Sequence, residues 1–140
     1  MSEFHRASRT RVNVFPAGDR YRFREYFEET GLFATLAPYY DDDAYRFDVP
    51  EERFESVANA LRSFDYEPVI VDDPTPFVVA HRRFRDHPRV LFRTSVERRR
   101  TDRYTLFLLK DRASVERAVD AGAITLDELD DINWSVDRSR

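Results

Sequence analysis

The segment around residues 48–64 leaves the chain little choice of conformation. Asp48 can cap a helix, Pro50 and Glu52 suit its first turn, and Glu51 stands three residues after the cap. Phe54, Val57, Leu61 and Phe64 then fall at i, i+3, i+7 and i+10, which makes one apolar stripe on a helix. Strands are expected on both sides. At 44–49, Tyr45, Phe47 and Val49 alternate with Ala44, Arg46 and Asp48, which assigns Tyr45 and Phe47 to the core. At 66–71 a second strand ends at Asp72, Asp73 and Pro74.

The rest of 11–73 is read outward from that frame. Val12 and Val14 share one face of a strand at 11–16. Gly18-Asp19 offers a helix start, and Phe23, Tyr26, Phe27 and Thr30 follow at helical spacing up to Gly31. Residues 32–40 are expected as a strand, because Gly31 and Pro38 oppose helix continuation, and Asp41-Asp42-Asp43 as a turn. The resulting order, βαββαβ, is a ferredoxin-like α+β unit; a first helix running through 32–40 would make it βαβαβ instead. Residues 76–134 are expected to add a β-hairpin and short helices, packed with the first unit as one compact domain. Strands are expected at 90–96 and 104–109, and 76–86 reads equally as helix or strand. A short helix opens at Asp111 or Ser114, and Thr125 with Glu128 forms a capping box for a last turn. Trp134 is expected to staple the C-terminal tail.

Charge is strongly segregated along the chain. Residues 1–24 carry +4, 25–80 carry −11, 81–117 carry +7 and 118–140 carry −4. The 23 cations are 22 arginines and one lysine, Lys110, against 27 acids. In composition this resembles the proteins of salt-in haloarchaea, and a chain of haloarchaeal type is expected. At ~1 M salt the Debye length is about 3 Å, so partners must be held by direct arginine contacts rather than by a diffuse field.

Several classes of chemistry are excluded or disfavoured. There is no cysteine, so neither a disulfide framework nor a thiol nucleophile. Three glycines cannot supply a phosphate-cradling loop, and neither an HExxH nor a GxSxG motif occurs. His5, His81 and His87 are not at a spacing that groups them on one face. The contiguous Asp41–43 run lacks the alternation and glycine of a calcium loop. No catalytic residue, metal site or cofactor is therefore expected, and the chain reads as non-enzymatic. No apolar run approaches the roughly 18 residues of a membrane span, and the N-terminal residues lack a signal-peptide core, so a cytoplasmic protein without membrane contact is expected.

The basic segment is the strongest functional signal. Nine arginines fall within 82–103. With 89–98 as a strand, Arg89 and Arg93 share one face while Val90, Phe92 and Val96 take the other, and Arg98, Arg99, Arg100 and Arg103 crowd a hairpin tip. Guanidinium groups pair bidentately with phosphate and stack on bases. The aromatic-rich signature of an RNA-recognition motif is absent from 44–50. The expected function is a binding or regulatory protein that contacts RNA or DNA through Arg89, Arg93, Arg98, Arg99, Arg100 and Arg103. The alternative is a protein–protein or homodimerisation module in which acidic and basic blocks pair.

Overall fold

Val12 and Val14 lie in β1 (Thr10–Ala17), the strand around which the first part of the chain is built. The computed structural model describes residues 9–129 and 132–134, and the chain divides into two units, Met1–Asp72 and Asp73–Arg140. Both are mixtures of sheet and helix, as the α+β expectation requires.

The first unit runs β1, β2 (Arg20–Phe23), α1 (Thr30–Leu36), β3 (Tyr40–Asp41), β4 (Arg46–Pro50), α2 (Glu51–Ser63) and β5 (Tyr66–Ile70). The sheet order is β3-β4-β2-β1-β5, with β1 and β5 parallel and the other neighbours antiparallel. The helix at 50–64 is present and buries Val57, Ala58 and Leu61, each side chain contributing roughly 1.5–3 kcal/mol where it is a full-sized aliphatic. Its stripe and that of α1 meet Val12, Val14, Phe23, Phe47 and Val49 in one core. Phe54 stacks on Tyr21 with ring centroids 4.4 Å apart.

Several local expectations are corrected. Gly18-Asp19 does not start a helix. It is a two-residue hairpin loop between Ala17 and Arg20, with Gly18 at φ +64, a conformation glycine adopts at no steric cost. The expected βαββαβ order is therefore not the one seen, since a strand occupies 20–23. Residues 30–36 are helical because Leu32 and Leu36, four apart, are the buried pair. Asp48 does not cap α2; its carboxylate accepts from Arg20 Nε at 2.5 Å and Arg22 Nε at 3.2 Å across the β2–β4 ladder. Phe47 is buried, but Tyr45 has φ +57 and is 58% exposed, outside the core. The Asp41–43 run is a turn in which Asp41 Oδ1 accepts from the Asp43 and Ala44 amides.

The second unit contains β6 (Val78–Arg82), α3 (Arg89–Thr94), β7 (Ser95–Arg100), β8 (Tyr104–Leu109), α4 (Arg112–Asp120) and β9 (Ile124–Thr125). Its sheet is antiparallel in the order β7-β8-β6-β9. One sheet face supplies Val79, Phe107 and Leu109 to a core with Leu91 of α3 and Val115 and Ala118 of α4. The open question at 76–86 resolves as a short 3-10 turn, Thr75–Phe77, followed by strand β6.

The expected strand over 89–98 is corrected. Pro88 precedes a helix that buries Leu91 and Thr94, three apart, and Thr94 Oγ1 donates to the Val90 carbonyl at 2.7 Å. The strand begins only at Ser95 and carries a bulge between Ser95 and Glu97. Asp111 caps α4 by accepting from the Ser114 amide at 2.8 Å. Thr125 and Glu128 form no capping box; Thr125 Oγ1 donates to Asp127 Oδ1 instead.

Candidate nucleic-acid interface

Strand geometry, rather than nearness in sequence, decides which arginines act together. β7 is an edge strand, and its register pairs Arg98 with Phe107, Arg99 with Leu106 and Arg100 with Thr105. Alternation therefore puts Arg98 and Arg100 on one face, ~6.6 Å apart along the strand, and Arg99 on the other. Arg98 and Arg100 are exposed. They also burden the strand edge with like charge, which discourages edge-to-edge pairing.

Arg99 is occupied. Its guanidinium lies 4.0 Å over the Trp134 ring, Nη1 donates to the Trp134 carbonyl at 2.6 Å, and Nη2 meets Glu97 at 3.0 Å. Trp134 is 7% exposed and closes on Arg99, while the tail it was expected to staple lies outside the described residues.

The remaining candidates stand on other elements. Arg89 opens α3 and Arg93 stands in its last turn, both exposed, but not on a strand face opposite Val90 and Phe92 as expected. Arg103 is exposed in the β7–β8 turn, which closes through the Thr101 amide donating to the Tyr104 carbonyl at 2.8 Å. Arg98 and Arg100 are thus strand residues leading into that tip, and Arg103 alone of the six belongs to the turn.

Two histidines complete the face. His81 on β6 pairs with Thr105, which pairs on its other side with Arg100, so these three form one row across the sheet. The loop after β6 doubles back and brings His87 Nδ1 to 2.8 Å from His81 Nδ1. The His87 ring sits edge-on to Phe107, at 5.2 Å between centroids, and 5.9 Å from Phe92. Arg98 lies 5.4 Å over the Phe92 ring, which is 42% exposed.

Burial first, and then His87 and Arg85, hold the His81 pKa below its ordinary value. For His87 burial is again the main cause, Arg98 and Arg100 add to it, and Asp86 opposes them. The pair is therefore biased towards neutrality at neutral pH, with a single N–H shared between the two facing nitrogens. An anion held by Arg98 and Arg100 would cancel part of the field that keeps the imidazoles neutral.

The loop that returns His87 is itself unusual. Phe84 has φ +65, uncommon for a residue with a bulky side chain, and its ring is 89% exposed. Arg83 lies 4.8 Å over that ring and donates to the Thr101 carbonyl at 2.9 Å, which ties the loop to the β7–β8 turn. Arg82 lies 5.8 Å over Tyr104.

Sequence reasoning missed His81, His87 and Phe92 as members of this face, and Phe84 as an exposed ring on the loop between the histidines. For the histidines the only signal was two such residues flanking an arginine-rich loop. Among the described residues no group of three or more His, Cys, Asp or Glu is placed to hold a metal, and no helix is long and apolar enough to cross a membrane. His5 lies outside the described residues. No family model matches the chain, and no curated protein or solved structure matches it.

Proposed function

We propose that this chain is a nucleic-acid-binding protein that contacts single-stranded RNA or DNA through the second unit. The observation that carries the proposal is the combination on one face of two exposed guanidiniums, Arg98 and Arg100, with an exposed aromatic ring, Phe92, beneath the first. Arginine supplies paired hydrogen bonds to phosphate, and exposed rings supply stacking surface for unpaired bases. Phe84, in a left-handed conformation with its ring in solvent, offers a second stacking surface on the loop tied to the hairpin turn. Arg103, Arg89 and Arg93 extend the basic surface, while Arg99 serves the fold.

Duplex binding rests mainly on phosphates and would not need solvent-facing phenylalanines, so the single strand is the favoured form. In the test, a fluorescein-labelled oligouridylate and a duplex of equal length are titrated with the protein in 1 M KCl, and anisotropy is read. Tighter binding of the single strand is expected. Equal affinity for both, or no binding to either, contradicts the proposal.

A further inference from the structure

The facing nitrogens of His81 and His87 are both Nδ1, and both belong to rings held in place from outside the pair. His81 stands on β6, in register with Thr105 of β8. His87 precedes Pro88, and its ring rests edge-on against the buried Phe107. Arg83 fastens the intervening loop to the β7–β8 turn by donating to the Thr101 carbonyl. Sheet, core and loop thus bring two nitrogen donors together. Both residues are half-buried, so an ion can reach them from solvent.

Their 2.8 Å separation suits two kinds of bond. Without a metal it is a hydrogen bond, in which one Nδ1–H donates to the Nδ1 of the other ring. It is also the spacing of two imidazole donors on adjacent corners of one ion. At a metal–nitrogen distance of ~2.0 Å, adjacent corners of a square or octahedron are about 2.8 Å apart, against about 3.3 Å on a tetrahedron. Imidazole suits copper, nickel and zinc, and the closer spacing favours the first two over tetrahedral zinc. The ion would replace the shared proton, leaving each ring protonated at Nε2 with its Nδ1 lone pair on the metal.

Charge decides how such an ion is held. Arg85, Arg98 and Arg100 place positive charge near the pair, and Asp86 opposes it. A bare divalent cation is disfavoured there, whereas one that carries an anion on its remaining positions is far less so. In ~1 M KCl the Debye length is about 3 Å, which weakens the repulsion, and chloride is abundant. Hard ions that demand oxygen ligands, such as Mg²⁺, gain nothing from two imidazoles. We infer that His81 and His87 form a two-nitrogen binding site for a divalent transition-metal ion of the nickel and copper class, with its other positions open to water or an anion.

The test titrates NiCl₂ into the full chain in 1 M KCl by calorimetry, with amide spectra to locate the ion through the line broadening that paramagnetic Ni²⁺ causes. One Ni²⁺ per chain is expected, with broadening centred on residues 80–88 and 104–107. His81→Asn and His87→Asn should each weaken binding by about tenfold or more, because one imidazole alone does not chelate. The double variant should lose little beyond either single one. MgCl₂ over the same range should give no heat of binding. Melting curves establish that each variant is folded, and the broadening map of the wild-type chain stands without them. No Ni²⁺ binding up to ~1 mM, broadening centred on the Asp41–43 turn or elsewhere, equal binding of Mg²⁺, or undiminished binding in a folded double variant would overturn the site. No oligonucleotide enters the test, so its failure would leave the nucleic-acid proposal standing.

Discussion

His81 and His87 face each other through their Nδ1 atoms at 2.8 Å, in the row of the sheet that also holds Thr105 and Arg100. Both pKa values are lowered, by burial first and by neighbouring positive charge second. The unfolded chain therefore takes up protons near the ordinary value of 6.5, while the folded chain resists until a lower pH. Stability should fall as pH drops from about 6.5 through the lowered values, and this contribution should level off below them. Unfolding free energies measured from pH 8 to 5 should show that slope. Replacing both histidines with asparagine should flatten it, and a wild-type slope unchanged in the double variant would contradict the assignment.

The same linkage reaches binding. An anion between Arg98 and Arg100 relieves the field on His87, so its protonation and anion binding assist each other. Affinity for a single-stranded oligonucleotide should be higher at pH 6 than at pH 8, and the difference should vanish in His81→Asn/His87→Asn. A polyanion that binds equally at both pH values would show that the pair does not belong to the interface.

Neighbouring arginines on β7 should respond oppositely to mutation. Arg99→Gln removes the stack on Trp134 and the bond to its carbonyl, and should cost about 1–2 kcal/mol of stability. Arg98→Gln and Arg100→Gln remove exposed charges and should each stay within about 0.5 kcal/mol. Urea midpoints of the three variants, with Trp134 fluorescence as the probe, decide this. A destabilised R98Q beside an unaffected R99Q would reverse the face assignment.

What could be read from the sequence followed from how many local signals agreed. At 50–64 the proline, the early acids and the apolar stripe all pointed to one helix, and α2 is there. At 18–23 they did not agree. Gly18-Asp19 suits a helix start or a hairpin turn, and Phe23 fits both the spacing of a helix with Tyr26 and Phe27 and the alternation of a strand with Tyr21. Pairing with β1 and β4 settled the matter, and pairing is not local. Val90, Leu91 and Phe92 posed the same ambiguity, since a three-residue apolar run has no period. The basic segment itself was visible from arginine density. Its division into Arg98 and Arg100 on one face and Arg99 on the other depended on a strand that starts at Ser95 rather than before Val90. The approach of the two histidines was out of reach, because it is made by a loop in which Phe84 takes φ +65.

Asp111 should act as a helix cap whose worth depends on pH. Burial pushes its carboxyl upward, but the bonds from Ser114 and the nearby Lys110 ammonium outweigh this and hold the pKa below 3.8. Its stabilising effect is therefore present above that value and disappears as pH falls through the lowered pKa. Asp111→Ala should cost about 1 kcal/mol at pH 7. Thermal melts at neutral pH check this, and an unchanged midpoint would remove the cap from the explanation of α4.

The acidic block at 25–80, with −11 formal charge, should make the fold salt-dependent. Repulsion among its exposed carboxylates is screened at high ionic strength, so the chain should melt at a clearly higher temperature in ~2 M KCl than in ~0.1 M. A midpoint that is equal or lower at the higher concentration would sink the reading of the composition as that of a salt-adapted protein.

The most direct test of the binding proposal is the salt dependence of oligonucleotide affinity in wild-type protein and in Arg98→Gln/Arg100→Gln. Anisotropy titrations with one labelled single strand, repeated across a series of KCl concentrations, give a log–log slope for each protein. If both arginines engage phosphates, the double variant binds more weakly at every salt concentration, and its slope shrinks by about 0.7 for each phosphate no longer neutralised. Its melting temperature should remain that of the wild type. The same affinity and slope in both proteins, with both folded, would contradict the assignment of this face as the nucleic-acid interface.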